Sequence, residues 1–449
     1  MQLKTRKFIN KLFSGIGITS VVIMTAFLLI LLTPITYKGL GAIFFSGTVE
    51  FRMLNSKEFG HGNKEKIEKE FARAKIARAP IYEQYTSFKK EVKKFDSKKK
   101  RELKTQLKEI KEALNELLGP FPDTPTPILL RNQYGQTRWK NAQAKLHHVI
   151  YSEEWDYSKP DEPGIQVFVP RKKYFTGTSF ESFFPYLEKN IDKMLMPEFT
   201  CYWQFLTDKS RDAHFFGGIM PEILGTIYLA IGAMIFAVPL GILAAIYLSE
   251  YAKPGKIISF LRICMGALAG VPSIVFGLFG LAFFINTIHV SNSKSVLAGS
   301  LTLAILILPT VIRAAEEAIK AVPNTYREAS LGLGAGKWYS VWTVVLPNAL
   351  PGILTGTIIS LGRAAGETAP IIFTAAVSVG LPLKIWETLS QPTPALSWNI
   401  YNLCTEHEAV DEIRHVQYGM VFVLIAIVLL FNLTAIIARA RILKKLRGC

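Results

Sequence analysis

The sequence is poor in residues that carry chemistry. Among 449 residues there are four cysteines, Cys201, Cys264, Cys404 and Cys449, far apart and with no C-x-x-C pair. That argues against a thiolate metal site or a redox motif. No nucleophile–base set and no metal-ligating cluster stands out, so neither a catalytic residue nor a metal site is assigned. His147-His148 does not change this: on a strand the two rings point to opposite faces, and no Cys or carboxylate cluster completes a site. The glycine-rich stretch GLGAGKW (332–338) looks like a nucleotide loop. However, Leu331 stands where the first glycine is required, and Trp338 where a magnesium-binding Ser or Thr belongs. The chain is therefore read as holding no ATP and no other cofactor. Its formal charge of +17 accompanies no nucleic-acid motif, so no nucleic-acid partner is expected.

Apolar sequence, by contrast, is abundant. Half of the residues are hydrophobic and the mean hydropathy is positive, which makes this an integral membrane protein with a sizeable polar part. Uncharged or apolar runs cover 12–37, 223–249, 263–288, 295–312, about 350–379 and 418–438. Each is long enough to cross ~30 Å of hydrocarbon at ~1.5 Å per residue. The first follows the basic start MQLKTRKFINK and lacks a cleavage site, so it reads as an anchor rather than a secretory signal. The positive-inside bias places both termini, including the basic tail 439–449, in the cytoplasm. Residues 38–218 and the loops 286–294 and 380–417 then lie outside, and 250–256 and 313–347 inside. Cys264 reads as inert packing within a span. Cys201 and Cys404 share the outer side, which leaves a disulfide between them open.

The polar region 38–218 has its own pattern. Ile67, Phe71, Ala74, Ile81, Tyr85, Phe88, Val92 and Phe95 keep a heptad spacing broken only at Arg78, and Leu103, Leu107, Ile110, Leu114 and Leu117 repeat it. This predicts a coiled-coil hairpin over 64–118, kinked or interrupted at Pro80. The lysines between Lys89 and Arg101 read as a solvated tip, or as a patch for lipid headgroups or an anionic partner. GPFPDTPTP (119–127) reads as a stiff linker. The stretches ILLRNQYGQTRW, LHHVIY and IQVFV have strand composition, which predicts a small α+β module over 128–200.

Two motifs in the membrane part point to function. Glu328-Ala329-Ser330, three residues, Gly334, nine residues, then Val344-Val345-Leu346-Pro347 is similar to the cytoplasmic coupling loop of ABC importer permeases. A short helix ending at a glycine, then a second helix with Trp338, Val341, Trp342 and Val345 on one side, would make a knob for a soluble partner. In the fifth span, Arg363 and Glu367 stand four apart on one helical face, with Arg363 ~20 Å into the membrane. They read either as an ion pair that fixes packing or as a cation and its carboxylate facing an anionic solute. In the third span, Gly266, Gly270 and Gly277 allow close helix contact. Gly270-Val271-Pro272-Ser273 could also break that helix and offer N–H groups and the Ser273 hydroxyl to an anion.

PLGILAAIYLSEYA (239–252), LAGVPSIVFGLFGLAFF (268–284), VPNTYREASLGLGAGKW (322–338), VVLPNALPGILTG (344–356) and GRAAGETAPIIFTAA (362–376) together resemble the PstA-type permeases of bacterial phosphate ABC importers. The resemblance covers about half the chain. It implies an all-α polytopic protein of the type I importer permease fold in the bacterial inner membrane, paired with a homologous second permease. It also implies two cytoplasmic ATPase subunits that use ATP and Mg, and a periplasmic phosphate-binding protein. The implied roles are ATPase coupling for Glu328, Ala329, Gly334, Leu346 and Pro347, and a place on the solute path for Arg363 and Glu367. The departure is the insertion of about 180 residues, where the family usually has a short loop. Two other readings compete: a permease for another oxyanion such as molybdate, sulfate or phosphonate, and a membrane receptor or scaffold working through its coiled coil.

Overall fold

The computed structural model describes residues 3–122, 124–125, 127–133, 135–156 and 165–446. In chain order these form α1 (Leu3–Leu40), β1 (Phe44–Gly47), α2 (Val49–Phe59), α3 (Lys64–Glu91), α4 (Ser97–Leu118), α5 (Trp139–Ile150), β2 (Tyr151–Asp156), β3 (Ile165–Pro170), α6 (Phe183–Leu195), β4 (Glu198–Cys201), β5 (Ser210–Arg211) and β6 (Phe216–Gly217). There follow α7 (Met220–Ile246), α8 (Lys256–Ala269), α9 (Ser273–Gly280), α10 (Val296–Lys320), α11 (Asn324–Gly332), α12 (Lys337–Ser340), α13 (Leu346–Gly366), α14 (Ala369–Thr374), α15 (Leu396–Thr405) and α16 (Arg414–Leu446). The chain divides into two compact units, one of residues 1–40 with 218–449 and one of residues 41–217.

In the first unit, five helices are long and apolar enough to cross a membrane, and a bent helix pair makes six if it counts as one span. Central among them is α10, whose most apolar stretch is 67 % buried and which packs against both α7 and α13. Small residues set these distances: a Cβ added at Gly241 of α7 would lie 2.6 Å from Val311 Cγ1. Such close approach is how membrane helices gain contact without a solvent-driven hydrophobic effect. In α1 none of the apolar window is buried by the described residues, and its end meets α16, with Lys38 Nζ 4.8 Å from the Tyr418 ring centre.

Two spans differ from the sequence-based expectation. The third is α8 and α9 bent by 99° across Gly270–Pro272, where proline and glycine stop the ladder of helical hydrogen bonds. No residue of α8 is buried, so Cys264 is exposed rather than packed. The fifth span runs from Lys337 to Gly366, not from 350 to 379. It starts early because α12, a π-helical turn over Val341–Val345 and α13 follow one another without a break. It stops early because Glu367 is extended (φ −72°, ψ 132°), after which Pro370 opens α14 near its N-terminus, where the missing N–H costs nothing.

In the second unit the heptad helices sit in a shared core. Both heptad runs are helical, but they do not make a free-standing two-stranded coiled coil. Ile81, Tyr85 and Phe88 of α3 and Leu103, Leu107, Ile110 and Leu114 of α4 share their core with Ala142 and Val149 of α5 and with Phe183, Leu187 and Met194 of α6. Pro80 sits inside α3 without ending it. LHHVIY is mostly the end of α5 rather than a strand, and Leu130–Asn132 is a single tight turn. IQVFV is a strand, paired antiparallel with β2. In the linker, Asp123 and Thr126 lie outside the described residues, while Phe121 turns inward, 4.8 Å and 5.1 Å from the Tyr82 and Tyr85 rings. Among the described cysteines, Cys201 and Cys404 are free thiols.

Arg78, the break in the heptad, proves to be a structural centre. It lies buried with an ion pair to the buried Glu50 of α2, and it donates to Met194 O and to Leu118 O at 3.1 Å. Burial raises the Glu50 carboxyl above its usual range even beside that guanidinium. Arg78→Leu strands a buried carboxylate, so we expect a loss of about 3–5 kcal/mol. Thermal unfolding of the purified chain, followed by proteolysis within 64–118, reads it. Glu50→Gln keeps an acceptor for Arg78 and should cost less; the reverse order would contradict the assignment.

Candidate functional site

The first candidate site is the break that ends α13. Arg363 lies in the last turn of that helix, where a cation faces the partial negative charge of the unpaired carbonyls. From Lys337 to Arg363 is 26 residues, or ~39 Å of helix. Arg363 thus stands at the far end of its helix. Glu367 has left the helix, yet the two remain joined, with Arg363 Nε donating to Glu367 Oε1 at 3.2 Å. The arginine side chain is 41 % exposed and the glutamate 18 %. Among the described residues, the two terminal nitrogens of Arg363 have no hydrogen-bond partner.

Three elements hold this break in place. The start of α15 is pinned to it: Ser397 Oγ donates to Glu367 O at 3.1 Å, and Thr368 Oγ1 donates to Ser397 O at 3.3 Å. The same turn is fixed to the start of α7, through Leu396 N to Thr226 Oγ1 at 2.9 Å and Asn399 Nδ2 to Glu222 Oε1 at 3.1 Å. Lys294 Nζ donates to Ile372 O at 2.7 Å and so caps the end of α14. Beyond its bend, α9 packs on α14 through Gly277, where an added Cβ would lie 2.9 Å from Phe373 and 3.0 Å from Ala369 O.

Of the other expected residues, Ser273 begins α9 and is half-buried. Among the described residues no hydrogen bond or ion pair joins it to Arg363 or Glu367. Gly270 and Pro272 form the bend, and a Cβ at Gly270 would meet only Ala267 O at 3.4 Å. Gly266 makes room for the Arg313 side chain, 2.8 Å from where a Cβ would stand. Glu222, Asn399 and Lys294 escaped the sequence reading, which treated Glu222 and Lys294 as span boundaries. The one local signal was an acid in the first turn of a helix after Pro221.

The second candidate site is the corner joining α10 to α13. Glu328 and Ala329 are exposed on α11, and Gly334 turns the chain with φ 84°, a left-handed conformation open to glycine. Leu346 and Pro347 open α13 half-buried. The expected single-sided row divides in two: Val341 and Val345 are buried, while the Trp338 and Trp342 rings stack 5.6 Å apart and stay exposed. With Tyr326, Leu333 and Tyr339 also exposed, α11 and the start of the span border a cleft of about 570 Å³ lined by Tyr326, Ala329, Leu333, Gly334, Tyr339 and Val344. A contiguous exposed apolar patch of this kind is a surface feature that marks interaction sites.

Arg327 builds the corner. It donates to Glu250 Oε1 through Nε at 3.0 Å and Nη2 at 2.8 Å, to Val322 O at 2.6 Å and to Ile319 O at 2.8 Å. One guanidinium thus joins α11 to the ends of α7 and α10. Lys337 donates to the Glu250 carbonyl from the other side, and Arg262 of α8 reaches Glu316 of α10 at 2.7 Å. Among the described residues no group of His, Cys, Asp and Glu could hold a metal ion.

Comparison with known proteins bears on the membrane unit as a whole. Residues 237–448 match the family of binding-protein-dependent transport system inner membrane components. The probable ABC transporter permease protein YqgI of Bacillus subtilis (strain 168) is 35 % identical over 253 residues, covering 54 % of this chain and 85 % of that protein. A phosphate transport system permease protein PstA 1 of Mycobacterium tuberculosis (strain CDC 1551 / Oshkosh) is 37 % identical, covering 50 % and 71 %. The phosphate transport system permease protein PstA of Yersinia pestis is 34 % identical, covering 56 % and 80 %.

Proposed function

We propose a function from one premise: this chain belongs to the PstA-type permeases of ABC transporters. It is an ABC permease subunit and a multi-pass inner-membrane protein, of a family that works with ATPase subunits and a substrate-binding protein. Our reading is that it imports inorganic phosphate. It forms the path with a second, homologous permease in a type I importer arrangement, and receives phosphate from a periplasmic binding protein. Two cytoplasmic ATPases seat on the 327–347 corner, with Glu328, Ala329, Gly334, Leu346 and Pro347 shaping the docking knob. Both termini face the cytoplasm and residues 41–217 the opposite side, as the basic ends require.

The observation that carries the reading is the half-exposed Arg363 with its terminal nitrogens free. A guanidinium held by its Nε alone offers the remaining fork to the oxygens of a tetrahedral oxyanion. It stands at the end of its helix remote from the corner, where solute arriving from outside would meet it.

Glu367 favours phosphate over sulfate and molybdate. At neutral pH phosphate still carries a proton and can donate a hydrogen bond to a carboxylate, whereas sulfate and molybdate can only accept. A carboxylate 3.2 Å from the arginine therefore rejects them by leaving facing acceptors unpaired, which costs more than a hydrogen bond gains. Uptake in cells lacking their own PstA-type permease, complemented with this chain and its partner subunits, tests the assignment. We expect phosphate uptake with the native chain. For Glu367→Gln we expect a selectivity against sulfate relaxed roughly 10- to 100-fold. Sulfate or molybdate carried by the native chain would turn the assignment toward another oxyanion.

A further inference from the structure

The tip of the α3–α4 hairpin carries charge that no acid among the described residues neutralises; inside the chain Lys100 Nζ reaches only the Lys93 carbonyl, at 3.3 Å, and Lys99 lies over the Phe95 ring. Between Lys89 and Arg101 stand eight basic residues (Lys89, Lys90, Lys93, Lys94, Lys98, Lys99, Lys100, Arg101) against Glu91 and Asp96. All but Lys100 are exposed, and among the described residues none of the eight has an acidic partner. A merely solvated face looks different, and the same hairpin shows how. Along its shaft Lys69 meets Glu65 at 2.6 Å, Lys66 meets Glu70 at 3.6 Å and Lys108 meets Glu112 at 3.9 Å. At the tip, Glu91 is occupied by the Ser179 hydroxyl, and Asp96 makes no capping bond to α4.

The placement of the cations is also unfavourable for the fold. Lys98, Lys99, Lys100 and Arg101 begin α4, whose first turn holds no acid. There the helix presents partial positive charge, and like charges one turn apart repel. The tip lies 13 residues beyond Arg78 along α3, or ~20 Å from the ion pair with Glu50. It is thus well separated from that buried pair, although Val92 and Leu103 carry the core up to its base.

We propose that this tip is a docking head for the phosphodiester headgroups of an anionic phospholipid surface. The cations are lysines on flexible stems, with one arginine, and they surround a short convex turn of Phe95, Asp96 and Ser97. That arrangement cannot enclose one ion, but it suits a diffuse layer of negative charge. Phe95 is half-buried beneath Lys99, whose Nζ lies 5.6 Å from its ring centre, so the contact is electrostatic with no apolar wedge. Each lysine near an anionic surface strengthens binding about fivefold. The inference does not depend on the transport reading.

The test uses the full chain in nanodiscs of neutral lipid, floated with phosphatidylglycerol vesicles or with phosphatidylcholine vesicles. The native chain should rise with the first and not the second, and about 1 M salt, where screening falls to ~3 Å, should release it. K93Q/K94Q/K98Q/K99Q should lower partitioning roughly 100- to 1,000-fold. K93R/K94R/K98R/K99R, which keeps the charge, should retain binding and so separates lost charge from lost fold. Equal flotation of the native and glutamine chains would overturn the proposal, as would binding to neither vesicle. Release by millimolar inorganic phosphate would overturn it in favour of a single-ion site, and preferential capture by polyglutamate in favour of an acidic protein.

Discussion

Arg363→Gln should abolish phosphate uptake while leaving the transporter assembled. That is the largest effect we expect from one side chain of the membrane unit. The argument rests on what Arg363 does not do: it is 41 % exposed and gives only its Nε to Glu367, so glutamine leaves neither a cavity nor a broken helix. What is lost is the charged fork. A charge-assisted bond contributes about 1.5–3 kcal/mol, and two made together correspond to roughly 100- to 10,000-fold in affinity. Arg363→Lys keeps the charge without the planar geometry and should fall between. Radiolabelled phosphate uptake measures the loss, and co-purification of the ATPase measures assembly. If the glutamine chain no longer assembles, the Arg363–Glu367 pair is a packing device and the solute-path role is wrong.

Arg327→Gln should have the second largest effect, of a different kind: ATP hydrolysis continues but no longer drives transport. In the native corner a movement of α11 reaches α7 through Glu250 and α10 through the carbonyls of Ile319 and Val322, all held by one guanidinium. Glutamine cannot span these partners and leaves the Glu250 side chain, 9 % exposed, without its cation. A buried carboxylate left so costs several kcal/mol, and the corner will rearrange to avoid it. Glu328 and Ala329, which we propose dock the ATPase, and the exposed Trp338 and Trp342 are untouched, so the ATPase should still co-purify. We expect phosphate moved per ATP hydrolysed in proteoliposomes to fall at least tenfold, while hydrolysis falls less. A proportional loss of both would make Arg327 part of the docking surface rather than a strut.

Much of the membrane unit was legible in the sequence because its signals are local. Apolar runs give spans, and the spacing from Glu328 to Pro347 gives a helix, a turn at Gly334 and a second helix. What escaped depends on partners distant in the chain. The hubs made by Arg327 and Arg78 join residues that only the fold brings together, and nothing beside Glu222 announces that Asn399 will meet it. In the insertion, composition misled: His, Val, Ile and Tyr in LHHVIY suggest a strand, whereas burial of Ala142 and Val149 in the shared core selects a helix. The same core explains why the heptads did not yield a lone coiled coil. The amphipathic α6, with Phe183, Leu187, Ile191 and Met194 at helical spacing, supplies a further wall.

The small sheet of β1 and β4 has a consequence for the history of the chain. Phe44 lies opposite Cys201, and Gly47 opposite Glu198, so the strand leaving the first span is back beside itself after the whole core of α2 to α6 has been built. Paired strands sit ~5 Å apart, a gap that a tight turn bridges. A segment with such neighbouring ends can be gained or lost by a genome in one step without prying its host apart, because the host needs only a short connector in its place. The ladder thus brings the ends of segment 48–197 side by side, and a gene in which a short connector replaces that segment should still encode a permease that inserts.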